Sequence, residues 1–435
     1  MVDILPFNGL IYNKKAVSDI SSAISPPYDI ISSEKREALL ASNPYNIVNL
    51  ILPQDSNGKN KYALAKNILQ DWTGKNILKT DDEKCFYIIE EDFYIKGQKK
   101  RITGFIGLTK IEPYHTKKII RHEKTLPKPK QDRLNLLRSC RTNFGLVYTL
   151  YGDPQKKISG ILSTETGKKP FIDITAGYDK TLKFKLWRLS SADTVEKIID
   201  LMKEKTLLIA DGHHRYETSL MYKNETILNN SADESCFMPE NYVLTLYVDS
   251  GQEDISIFPT YRIVKFKAYP GSKKILQTIS NYFHIENLGT ESNNFINKKL
   301  QNSSSKGEKS FLVYFKEKES YFLTLKSGVT NIPPYNKKVD YEYENLDVSI
   351  LHKFLLNKLE PGYGIEKIKY SHSIEEVKEN IDNNNFDMGV ILNSVTLKEL
   401  EKISSAGRLM PQKSTFFYPK PCTGLVMYKF DNTKI

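Results

Sequence analysis

The chain has 435 residues, 40% of them apolar and 26% charged, which is ordinary for a globular protein and long enough for two or three cores. With 22 glycines and 19 prolines, neither a collagen-like nor a largely disordered chain fits. The net charge of +11 is mostly lysine, since only ten of the 63 cations are arginines, and lysine in bulk argues for solubility before a polyanionic partner.

Residues 25–32, SPPYDIIS, read as a proline-fixed turn entering a short helix that Ser32 or Ser33 caps. Helical spacing returns over 61–78, with Ala65, Ile68, Leu69 and Trp72 on one face. Residues 85–111 read as two strands around a Gly-Gln turn. The segment RHEKT (121–125) closes a short apolar run, and Pro127 and Pro129 are expected to keep the chain extended before a helix over DRLNLLRSCRTNF. A strand (GLVYTLYGD), a hairpin-like stretch (170–189), a helix starting at Ser190 or Ser191 and a strand TLLIADG complete this region. Beyond 226 the chain reads first as a polar loop. Strands follow at 243–250, 311–316, 321–326, 388–395 and 424–430, with a solvated excursion at 293–310 and a helix at 345–359. His352 on that helix reads as a satisfied, partly buried histidine. Helices and strands mix without a βαβ rhythm, so the fold class expected is α+β, divided into 1–111, 112–228 and 229–435.

The four cysteines (Cys85, Cys140, Cys236, Cys422) form no CxxC pair, which argues against a disulfide framework or zinc knuckle. No signal peptide and no apolar run of 18 residues is read. A cytoplasmic protein without a membrane partner is expected.

Six of the ten arginines and four of the seven histidines fall between His115 and Arg215. There a buried strand runs into Asp211-Gly212-His213-His214-Arg215. Gly212 allows a tight turn, and the helix after it presents N–H groups and its positive end to an anion. Two imidazoles and a guanidinium at that end suit a phosphoryl group that must be held while it moves. Asp211 suits either a Mg²⁺ ion or the orientation of an imidazole. In the second motif, Arg121, Lys124, Lys128, Lys130 and Arg133 surround Glu123 and Asp132; a carboxylate in such a cluster stays ionised and can serve as base toward a hydroxyl. Arg138 and Arg141 either reach the same anion or lie on the helix's wet face. Tyr28 and Asp29, and the stretch Gln412-Lys413-Ser414-Thr415, are further candidates for the cleft lining, with a structural loop as the alternative. Neither GxxxxGK[ST] nor GxGxxG occurs.

The segments SPPYDII, RHEKTLPKPKQDRLNLL, RTNFGLVYTLYGD, LWRL, IADGHHRYETSL, LDVSILH and MPQKSTFFYPKPCTGLV resemble the bacterial and archaeal family catalogued as domain of unknown function 1015. One departure is Tyr261, where that family usually carries histidine. The family is in turn similar to the ParB/sulfiredoxin-like fold, whose free-serine kinases carry a His-Glu segment and, after a helix, a strand ending in Asp-Gly-His-His-Arg. The resemblance implies a ParB/sulfiredoxin-like core of mixed sheet and flanking helices, elaborated by N- and C-terminal α+β regions. It further implies phosphorylation of free L-serine, with pyrophosphate (or ADP/ATP) as donor and Mg²⁺ as cofactor. Glu123, His213, His214 and Asp211 would be catalytic, with Asp211 the metal ligand. Gly212, His213, His214, Arg215, Lys130 and Arg133 would bind phosphate, and Arg121, His122 and Thr125 the substrate. A ParB-like nucleic-acid-binding protein, an ADP/ATP-dependent kinase of another small hydroxy-amino acid, and a phosphatase or phosphate-transfer scaffold with His213 as nucleophile stay as alternatives, although no helix-turn-helix is read. Oligomeric state is left open.

Overall fold

The computed structural model describes residues 1–55, 58, 60–125, 127–230, 238–329, 342–411 and 413–430. The fold is α+β, and the chain divides into two compact units. The first is built from residues 1–255 and the segment after 419, the second from 256–418.

The first unit is organised on a nine-stranded mixed sheet. Its order is Ile119–Ile120, Leu207–Asp211, Val147–Tyr151, Tyr242–Asp249, Gln98–Lys110, Phe86–Ile95, Lys183–Leu189 and Ile172–Thr175, with Ile4–Leu5 pairing onto Gln98–Lys110. The long hairpin at its centre turns at Lys96 and Gly97, both with positive φ (49° and 78°), which matches the twist of the flanking strands. Two pairings are parallel, Leu207 opposite Ile119 and Thr245 opposite Val147. Strands from either side of position 111, and the strand after 240, thus share one sheet, so the regions expected at 1–111 and 112–228 are not separate bodies. One face buries Phe86, Phe105, Trp187, Ile209 and Tyr247 against Ile158, Leu162, Ile198 and Met202 of the helices Lys157–Thr166 and Ala192–Lys203. The first of these helices carries a Gly and several Ser/Thr positions that masked its period in the sequence. The helix Pro127–Cys140 packs against His213–Asn230. The chain end returns to this unit: Thr423 bridges Ser25, Met427 bridges Leu10, and Tyr428–Lys429 pairs with Thr142–Asn143.

The second unit is a six-stranded antiparallel sheet ordered Phe283–Gly289, Ser320–Leu325, Ser310–Phe315, Met388–Leu392, Tyr261–Phe266 and Ile365–Ser371. Residues 293–305, expected as a solvated excursion, form a helix. Ile296 and Leu300, four apart, are buried while the Asn, Lys and Ser positions around them mostly face water. The helix expected at 345–359 runs from Asp347 to Tyr363 with a π-helical stretch at Leu351–Leu356. His352 on it is not satisfied as expected: its Nε2 is buried without a hydrogen-bond partner among the described residues.

Cys85, Cys140 and Cys422 are buried thiols outside any disulfide; Cys236 lies outside the described residues. Among the described residues, no helix is long and apolar enough to cross a membrane.

Candidate active site

The strand Leu207–Asp211 is buried at all five positions and ends at Gly212, whose φ of 91° suits glycine alone. A Cβ there would stand 3.1 Å from Arg215 Nε. The following helix closes its first turn with the Tyr216 N–H donating to the Gly212 carbonyl at 3.0 Å. The N–H groups before it remain at the helix's positive end. The polar run read as a loop from 226 belongs to this same helix as far as Asn230; its continuation lies outside the described residues.

Parallel pairing of Ile119–Ile120 with Leu207–Leu208 sets RHEKT alongside DGHHR. The His122 Nδ1–H donates to the Ile209 carbonyl at 2.8 Å, and the His122 ring meets the His213 ring edge-on, centroids 4.4 Å apart at 90°. The His122 backbone N–H donates to His213 Nε2 over a long 3.4 Å. Burial pushes the His122 imidazole down to about 4 and holds His213 well below the usual histidine range, with His122 and His214 adding repulsion. Both rings are therefore neutral donors or acceptors at neutral pH. Glu123 is half-buried beside them, and one donor atom from each of His122, Glu123 and His213 lies within 4.8 Å of the other two. His214, on the helix's first turn, is half-buried.

Asp211 is held differently from expectation. One oxygen accepts from Arg215 Nη2 at 2.5 Å and the other from Lys420 Nζ. Burial raises its carboxyl, but the Lys420 and Arg215 cations outweigh that and keep it below the usual carboxylate range. With a cation on each oxygen, Asp211 does not fit as a Mg²⁺ ligand, and that assignment is corrected. Lys420, between Pro419 and Pro421, is a site residue that no spacing signal marks.

Two residues expected around the substrate, Arg121 and Thr125, and one expected around the phosphate, Lys130, meet on one carboxylate. Arg121 Nη1 donates to Glu217 at 2.7 Å, Lys130 Nζ at 3.0 Å, and the Thr125 hydroxyl donates to the same group. Burial raises the Glu217 carboxyl, and those three donors bring it below its ordinary value. Arg121 also lies over the Tyr114 ring at 4.4 Å. Glu217 was legible in principle: four residues after His213, it shares the face of that turn.

Pro127 and Pro129 do not hold the chain extended. They occupy the first turn of the helix Pro127–Cys140, where a missing N–H costs nothing and the fixed φ is already helical. On that helix, Arg133 is tied away from the role of donor clamp. Its Nε donates to Asp132 at 2.9 Å and its Nη1 to the Ile51 carbonyl at 2.7 Å, with its guanidinium over the Tyr28 ring at 4.2 Å. Asp132 itself accepts from Lys61 and the Tyr62 hydroxyl. Burial, then Asp29, pushes the Tyr28 hydroxyl up to about 12. Tyr28, Arg133, Arg215 and Thr218 line an adjoining cavity of about 70 Å³, in which the buried Thr218 hydroxyl has no partner among the described residues. Arg138 pairs with Glu225 at 2.7 Å and Arg141 with Glu240 at 2.6 Å, so both pin helices. Lys413, Ser414 and Thr415 belong to the second unit, and Gln412 lies outside the described residues.

The family of proteins of unknown function DUF1015 matches residues 4–349, and the chain belongs to it. No curated protein matches the chain significantly. Among solved structures, a conserved hypothetical protein from Pyrococcus furiosus is 14% identical with a TM-score of 0.32, over 69% of this chain and 87% of its own. A mutant free serine kinase in complex with AMP is 12% identical with a TM-score of 0.35, over 71% and 89%. C-terminally truncated SbnI from Staphylococcus aureus is 9% identical with a TM-score of 0.35, over 76% and 90%.

Proposed function

We propose that the protein is a phosphotransferase that converts free L-serine to O-phospho-L-serine with inorganic pyrophosphate as donor, on a ParB/sulfiredoxin-like core inside the first unit. The observation that carries this reading is the meeting of two distant motifs: His122 and Glu123 of one stand within 4.8 Å of His213 of the other, at a helix start suited to phosphate.

Glu123 takes the proton of the serine hydroxyl. The oxygen forms a bond to one phosphorus of pyrophosphate, the bridging P–O bond breaks with its electron pair on the leaving oxygen, and orthophosphate departs carrying the proton. Neutral His213, with His214 and the N–H groups at the helix start, donates hydrogen bonds to the transferring oxygens. Arg121 binds the serine carboxylate and Lys130 the donor, both oriented by Glu217 with Thr125. Gly212 and Arg215 fix the turn that aims them.

A matrix of donors (pyrophosphate, ADP, ATP) against amino-acid acceptors, with a divalent cation present and phosphorus NMR as readout, tests the reading. O-phosphoserine and orthophosphate are expected from serine and pyrophosphate. Product with a nucleotide alone replaces the donor, and no phosphorylated acceptor with any donor ends the reading. Glu123→Gln is expected to lower turnover about 100-fold or more; turnover within a few-fold of the parent removes Glu123 as base.

A further inference from the structure

Two imidazoles and a carboxylate stand together beside the occupied Asp211. Their donor atoms lie within 4.8 Å of one another. An ion bonded at about 2.1 Å to each spaces its ligands about 3–4 Å apart, so small rotamer adjustments close the set. His122 and His213 are 1% and 6% exposed, which leaves both rings little freedom beyond such small adjustments. The Ile209 carbonyl, 2.8 Å from His122 Nδ1, takes that nitrogen's hydrogen and leaves the lone pair on Nε2. Metal-ligating histidines make such an outer contact almost always. The Asp211 carboxylate does not compete for a cation, because Lys420 and Arg215 occupy it.

We propose that His122, Glu123 and His213 bind one borderline first-row divalent cation of the Zn²⁺, Mn²⁺, Fe²⁺ or Co²⁺ class. Two nitrogens and one carboxylate oxygen are the donor set of such ions, whereas Mg²⁺ is held by oxygen ligands and water. Three protein ligands leave positions open, and these take phosphate oxygens of the donor; that last clause rests on the phosphotransferase reading, the binding of the ion does not.

The test is Co²⁺ titration of the full-length, chelator-stripped protein, read by visible d–d absorption and by equilibrium dialysis, with no substrate present. One equivalent of Co²⁺ is expected, displaced by Zn²⁺ and retained in a large excess of Mg²⁺. His213→Ala and Glu123→Gln are expected to weaken binding by more than about 100-fold, beyond the roughly 10–100-fold that outer contacts carry. His284→Ala, on a strand of the second unit, is expected to leave it unchanged. Circular dichroism melting establishes that each variant is folded, and a variant that melts out is replaced by His122→Gln. No stoichiometric Co²⁺ binding, displacement by equimolar Mg²⁺, or unchanged binding in folded His213→Ala overturns the proposal. Co²⁺ bound without any phosphorylated serine leaves the ion site standing and ends the phosphotransferase reading; transfer without Co²⁺ binding does the reverse.

Discussion

Glu217 gathers side chains that the sequence suggests for substrate and for phosphate, and its neighbours decide what its loss does. Glu217→Gln keeps the shape but removes the charge that Arg121 and Lys130 share. Stability is expected to fall by about 1–3 kcal/mol in urea unfolding, toward the low end because both cations keep partial access to water. Serine phosphorylation is expected to fall mainly through a raised KM, since both orienting contacts go; an unchanged KM would remove its positioning role. Asp211→Asn is more severe, leaving Lys420 and Arg215 buried beside a neutral amide, at about 3–5 kcal/mol. A loss under about 1 kcal/mol would show that the two cations find other partners. The convergence of Arg121, Thr125 and Lys130 was legible as chemistry from residue type and clustering. The carboxylate on which they converge was not singled out, because a Glu four residues into a charged helix also reads as a solvated face.

At the level of the element, the turn at Gly212 is the most constrained feature of the site. Gly212→Ala forces a Cβ into a backbone at φ 91° and against the Arg215 guanidinium. About 1–3 kcal/mol of strain is expected, with at least a tenfold loss of turnover as the helix start shifts; full activity would show that the turn relaxes without harm. Pro127→Ala, by contrast, is expected to change stability by about 0.5 kcal/mol or less, because any good helix former serves at a first turn. Strand–turn–helix at 207–230 could be read from the apolar run, the glycine and the helical spacing. The start of the helix at Pro127 could not, because a proline in a first turn and a proline that blocks a helix look alike without the hydrogen-bond pattern. The helix at 293–305 escaped for a different reason, its apolar stripe being only Ile296 and Leu300 deep.

For the whole molecule, the groups held off their ordinary protonation ranges pull in two directions: depressed imidazoles and paired carboxyls favour high pH, while the Glu91 carboxyl, pushed up to about 8 by burial, favours low pH. His122, and His352 in the other unit, are pushed down to about 4 by burial. A depressed imidazole contributes its stability in full above the unfolded value near 6.5 and loses it as pH falls toward the folded value. The lowered carboxyls of Asp211 and Glu217 act alike, over a more acidic window below the ordinary carboxylate range. The two histidines are therefore expected to contribute a drop of roughly 2 kcal/mol each between pH 7.5 and 5, read as urea midpoints across that range in a Glu91→Gln background, because the raised Glu91 carboxyl opposes them. A flat profile would mean the rings are solvated. The α+β class and the motif pair were legible across the chain. The two-unit division was not, since it depends on residues from 419 onward pairing back with Leu10, Ser25 and Thr142–Asn143, and no local pattern carries that.

The return of the chain to supply Lys420 sets an order of events during synthesis. Both motifs leave the ribosome well before the lysine that pairs with Asp211, and the 256–418 unit is made in between. Domains fold as they emerge, N-terminal first, so a nascent chain holds Asp211 with Arg215 alone until residue 420 is free. A chain cut at 418 carries every residue of RHEKT and DGHHR, yet it also loses the pairings at Thr423, Met427 and Tyr428. Such fragments are expected to be inactive, and synthesis past these residues is what first assembles the site.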